Sequence, residues 1–224
     1  MDVELLVVRA DALALNKEEL MLLDAVARHW RGEGRSSGGC VADGEVVPDA
    51  ESAASALVKL YLLQRWDKCE LQRNKYGKPF IPEQPCEWNM SHSDGLVCVA
   101  LASAPVGIDV ETIGSLTEVR LAALRRAAPL EVIRWVMEGC DDFERAHRFA
   151  QAWTAAEAAL KAMGIGFSQD RVSLEELLLW QYGFWEIDRQ MVACACVEPP
   201  QATIHQLFRE DFSSCLEALG GALC

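Results

Sequence analysis

Two carboxylates stand on either side of one valine in the segment VGIDVET, Val106 to Thr112. In a strand, Asp109 and Glu111 would project to one face, while Ile108 and Val110 project to the opposite, apolar one. Ionised carboxylates that close repel, and the pair is costly without a cation or a basic partner. Mg2+ suits such hard oxygen donors; an acidic pair at an exposed strand end is the plain alternative. A second pair lies in FAQAWTAAEAALKAMGIGF, where Glu157 and Lys161 are four apart and share one face of a helix. It reads either as a weak surface ion pair or as part of a site. A third feature is NMSHS, in which Ser91 and Ser93 flank His92. Just before it, Arg65, Lys68, Arg73, Lys75 and Lys78 outnumber Asp67 and Glu70, forming a local basic island. Hydroxyls, an imidazole and ammonium groups suit phosphate oxygens, with ordinary turn chemistry and a surface histidine as the alternative.

These residues need elements to hold them. Residues 1–10 read as an opening strand, and Asn16 as the N-cap of a helix running to about Trp30. The Gly- and Ser-rich segment RGEGRSSGGCVADGEVVPDA reads as a mobile surface loop before a second helix, ESAASALVKLYLLQRW. Alternation then runs through CELQRNKYGKPFIP into a Tyr-Gly turn and a proline-bounded strand, and CEWNMSHSDGLVCVALA ends in another strand. From Ser103 onward the order recurs: a strand, a helical stretch around 116–137, a helix from Asp142 to Met163, and strands near the end. The expectation is an α+β protein of two pseudo-symmetric lobes, 1–104 and 105–224, each a small, mostly antiparallel sheet packed with helices. Trp180, Phe184 and Trp185 read as core, with a docking surface as the alternative.

Composition bounds the function. The chain has 224 residues, 51% of them apolar, enough for a packed core. No apolar run is long enough to span a bilayer, and the acidic N-terminus MDVELLVVRA does not read as a signal peptide. The nine irregularly spaced cysteines point to reduced thiols, hence to the cytoplasm. A net charge of −13 argues against nucleic acid as a partner, so an anionic ligand must meet a local basic patch or a metal.

In order, YGKP, NMSHS, GIDVE and WTxxExxxK resemble the motifs of the Sfp-type 4'-phosphopantetheinyl transferases. The resemblance implies their two-lobed fold and their reaction, in which the phosphopantetheine arm of coenzyme A moves to a serine of an apo acyl, peptidyl or aryl carrier protein, releasing adenosine 3',5'-bisphosphate. It implies Asp109, Glu111 and Glu157 as ligands of Mg2+, Glu157 and Lys161 as catalytic residues, and Lys75, Lys78, Ser91 and His92 as contacts to coenzyme A. The expected protein is a monomer without membrane partners. Two positions depart from the family pattern: Ala156 stands where a lysine is usual, and Ala50 to Ala56 carries no arginine, Lys59 following later. They motivate the alternatives, a non-catalytic module that binds coenzyme A or a carrier protein, and a structural α+β protein with solvated charged faces.

Overall fold

The computed structural model describes residues 1–31, 49–165 and 173–221. The loop expected after Trp30 lies almost wholly outside them. β1 (Asp2–Arg9) has Leu6 and Val8 in one core and Val3, Leu5 and Val7 in another. Burial on both faces is why its sequence mixes alternation with an apolar run. α1 (Lys17–Arg31) starts at Asn16, whose side chain accepts the Glu19 amide while the Glu19 carboxylate accepts the Asn16 amide. α2 (Ala50–Arg65) is capped by Asp49 and buries Ala53, Ala54, Leu57, Val58 and Leu62 against the first sheet.

After two short strands, β2 (Gln72–Arg73) and β3 (Pro79–Phe80), come β4 (Glu87–Ser93) and β5 (Leu96–Ala102). They form a hairpin across the two-residue turn Asp94-Gly95, where both residues have positive φ, 47° and 79°. The second half repeats the plan. β6 (Val106–Thr112) is followed by α3 (Glu118–Ala127), α4 (Leu130–Met137), α5 (Asp142–Met163) and α6 (Leu174–Leu178), then by the hairpin of β7 (Gln181–Ile187) and β8 (Gln190–Cys196). In both sheets the last hairpin strand inserts antiparallel beside the opening strand, giving the orders β4-β5-β1 and β6-β8-β7. The expected α+β class with small antiparallel sheets packed on helices is what the structure has.

The chain then crosses back. β9 (Gln201–Leu207) pairs parallel with β1, and α7 (Ser213–Gly221) brings Cys215 into the core under α1 and α2. A division at 104/105 therefore leaves β9 in the first sheet and α7 against the helices of the first half. The seven cysteines among the described residues are unbridged. Of the late aromatics, Trp180 and Trp185 pack against cores, while Phe184 is 41% exposed.

The two sheets meet face to face. Val3, Leu5, Val7, Cys98 and Ala100 from one pack on Ile108, Val110, Val192 and Cys194 from the other. α5 covers the opposite face of β6 and β8 through Ala158 and Ala162, which lie on Ala193 and Ala195. Such small side chains let a helix backbone approach a sheet closely. Edge strand β4 runs beside β6, and the Asn89 carboxamide accepts the Ile108 amide at 3.2 Å, joining the sheets at the place where the polar residues gather. Among the described residues no helix is long and apolar enough to cross a membrane.

Candidate active site

β6 delivers the acidic pair. Ile108 and Val110 enter the core between the sheets, so Asp109 and Glu111 must face α5 and β4. α5 supplies Glu157 and Lys161 one turn apart, and β4 supplies Ser91. Lys161 Nζ donates to Asp109 Oδ1 at 2.6 Å and to Ser91 Oγ at 2.8 Å, and lies 3.6 Å from Glu157 Oε2. The Ser91 hydroxyl in turn donates to Asp109 Oδ1 at 2.8 Å, closing a triangle over a carboxylate that is only 3% exposed. The Glu157 carboxyl is pushed up to about 8, first by burial and then by the charge of Asp109. Asp109 Oδ2 is buried without a donor. The proton that would suit it is that of Glu157 in its neutral form.

Glu111 is engaged from the other side. Arg120, in the first turn of α3, donates to its carboxylate and to the Thr112 and Gly114 carbonyls, with its guanidinium 4.7 Å from the centre of the Phe149 ring. Nothing in local spacing announces this contact, because the two residues are joined through a turn.

Alternation along β4 separates Ser91 from His92. Ser91 faces Asp109, whereas His92 points to α2, where its Nδ1 lies 2.5 Å from Glu51 Oε1. Glu51 also accepts the Gly95 amide at 2.6 Å, tying the hairpin turn to α2. His92 still reaches the rim of a cleft of ≈ 440 Å³, whose lining includes Lys59, Arg73, Ser91, Asp109, Glu157 and Lys161. Lys78 borders an adjoining hollow of ≈ 210 Å³ that Lys161 also lines. Burial holds the Lys78 ammonium below the usual lysine range, so an arriving anion would find it poorly solvated. Lys75 stands outside both linings, exposed on the turn with Nζ 4.8 Å above the Tyr76 ring. A larger hollow of ≈ 510 Å³ lies beyond the end of β6, bounded by Leu121, Met137 and Phe143, away from the Lys161 triangle.

Asn74 organises the YGKP turn. Its Oδ1 accepts the Tyr76 and Lys78 amides, both at 2.9 Å, and its Nδ2 donates to the Gly164 carbonyl at 3.0 Å, just past the end of α5. Asparagine before a Tyr-Gly turn was a readable signal for the first two bonds; the third depends on where α5 ends. Asn74→Ala removes all three, with an expected loss of about 1–3 kcal/mol in a urea denaturation experiment.

The donor set fits a hard divalent cation. It consists of carboxylate oxygens, one of them buried and orphaned, beside a carboxyl whose charge is disfavoured by burial and by the charge of Asp109. Among the described residues, no three His, Cys, Asp or Glu side chains already converge as ligands. Lys161 and Arg120 hold the cationic places instead. Ala156, at the usual lysine position, is 1% exposed among Ala159, Leu160 and Leu177 and does not line the cleft.

The chain is similar to known proteins over its second half. Residues 105–211 match the family model described as 4'-phosphopantetheinyl transferase superfamily. The chain is 30% identical over 114 residues to the 4'-phosphopantetheinyl transferase gsp of Aneurinibacillus migulanus, covering 49% of this chain and 46% of that protein. It is 31% identical over 104 residues to a putative 4'-phosphopantetheinyl transferase of Haemophilus influenzae, covering 43% and 41% of the two chains. It is 28% identical over 116 residues to the 4'-phosphopantetheinyl transferase Sfp of Bacillus subtilis, covering 51% and 49%. The matched stretch spans about half the length of these curated relatives.

Proposed function

We propose that this chain, whose residues 105–211 carry the signature of the 4'-phosphopantetheinyl transferase superfamily, moves the phosphopantetheine arm of coenzyme A to a serine of an apo carrier protein. The observation that carries the reading is the meeting of Asp109, Ser91, Glu157 and Lys161 at one cleft, from three elements in both halves of the chain. Surface ion pairs have no reason to converge in a buried, strongly interacting group.

Phosphoryl transfer needs positioning and charge neutralisation more than covalent help. Lys78, on the turn that Asn74 holds, meets the phosphates of coenzyme A, and His92, steadied by Glu51, meets the nucleotide end. Lys161 neutralises the phosphate under attack. Glu157 takes the proton of the carrier serine, a task suited to a carboxyl held near neutrality. The serine Oγ–P bond forms and the P–O bond of the diphosphate bridge breaks, so that the bridging oxygen leaves with adenosine 3',5'-bisphosphate. Asp109, Glu111 and Glu157 would hold Mg2+, which when bound supplies further neutralisation of the diphosphate.

The test is transfer of a fluorescent coenzyme A analogue to a panel of apo acyl, peptidyl and aryl carrier proteins. Labelling is expected for at least one carrier, lost in EDTA and lost with Asp109→Ala. No labelling across the panel, from folded protein with Mg2+ present, overturns the reading.

A further inference from the structure

We propose that Lys161 is the resident counter-ion of the acidic site and must leave Asp109 before a divalent cation can be held there, so that cation and polyphosphate bind cooperatively. The inference rests on the Mg2+ site proposed above and concerns what keeps that site from filling by itself. The Lys161 ammonium is satisfied where it is, with Asp109 at 2.6 Å, Ser91 at 2.8 Å and Glu157 at 3.6 Å. A divalent ion on Asp109 Oδ2 and Glu157 would sit a few ångströms from that ammonium, around a carboxylate only 3% exposed, where repulsion is weakly screened. The ammonium must therefore move, and a flexible four-carbon stem allows it.

It also has somewhere to go. Besides the main cleft, Lys161 borders the ≈ 210 Å³ hollow beside Lys78. With a diphosphate present, Lys161 exchanges one anion for another; without it, the lysine gives up Asp109 for water alone. A cation arriving alone must meet that cost, and one arriving with a polyphosphate need not. Arg120 acts in the same sense at the other end, since Glu111 is recruited only when it gives up part of its contact with the guanidinium.

The experiment measures Mn2+ binding to the full chain by electron paramagnetic resonance, with and without inorganic pyrophosphate, correcting for the Mn2+–pyrophosphate complex in solution. Lys161→Met and Lys161→Gln are compared with the unaltered protein, circular dichroism establishing that each is folded, and Asp109→Asn locates the binding. Without pyrophosphate, both Lys161 variants are expected to bind Mn2+ about tenfold or more tightly than the unaltered protein. Pyrophosphate should tighten Mn2+ binding to the unaltered protein, and this coupling should be clearly smaller in both variants, which keep only the share that comes from direct attraction between cation and pyrophosphate and from Arg120. Binding that needs Asp109 but is no tighter in the Lys161 variants, or coupling that is undiminished in them, overturns the exchange and leaves the metal site standing. No Asp109-dependent binding in any protein overturns the metal site and the exchange together.

Discussion

Replacing Glu157 by glutamine is expected to slow transfer to an apo carrier by about two orders of magnitude or more, with no loss of thermal stability. The change keeps size and shape and removes a group that can ligate a cation and accept a proton. That group is poorly accommodated in the fold, because burial and the charges of Asp109 and Glu111 all oppose its ionisation. Lys161 loses a partner at 3.6 Å but keeps Asp109 at 2.6 Å and Ser91 at 2.8 Å. Folding thus gives up little, whereas the proposed chemistry gives up its base, as expected where a site is maintained at some cost to stability. Initial labelling rates and the calorimetric Tm in EDTA check both halves. A fall in Tm comparable to the loss of rate would mean that Glu157 acts through the fold and not on the reacting groups.

Gly107→Ala is expected to destabilise the protein by about 3 kcal/mol or more and to remove most of the activity with it. A methyl group there would lie 1.9 Å from the Ala158 carbonyl oxygen and 2.5 Å from the Ala162 amide nitrogen. Both are backbone atoms of α5, so no side chain can step aside. Either the helix lifts from β6 or the strand bends. Glu157 and Lys161 flank Ala158 on that helix, and Asp109 is two residues from Gly107, so any such movement separates the groups of the site. A displacement of about 1 Å is enough to cost a hundredfold in rate. Urea denaturation and the labelling assay measure the two effects. Gly220→Ala near the end of α7 is the control: nothing lies within 4 Å of the added methyl, so no loss of stability is expected. Equal losses from both substitutions would refute the close-approach argument.

Much of the fold was legible in local patterns. The Asn16 cap, the helix from Asp142 to Met163, the second helix near Ala50 and the strand at Val106 stand where capping chemistry and hydrophobic period place them. Of the β4–β5 hairpin only the second strand was read, although Asp94-Gly95 is a strong turn signal. The return of β9 to β1 left no local trace, since a parallel pairing between residues some 200 positions apart reflects which sheet edge is available and not any periodicity. In the site, the shared face of Asp109 and Glu111 and the i, i+4 pair of Glu157 and Lys161 could be read directly. Arg120 on Glu111 and Glu51 on His92 could not.

The chain's own sequence determined which chemical groups share a strand face or a helix turn, because covalent geometry sets the periods of two and 3.6 residues. It placed two acids on one side of β6, an acid and a lysine on one side of α5, and Ser91 and His92 on opposite sides of β4. Only the tertiary structure decided how those faces meet. Packing of the two sheets set β4 beside β6, and Gly107 with the small residues of α5 and β8 let the helix come close enough for Lys161 to reach Asp109. The turn after β6 carried Arg120 to Glu111. Distances between elements follow from how side-chain volumes fill a shared core, a property of the whole chain that no single segment carries.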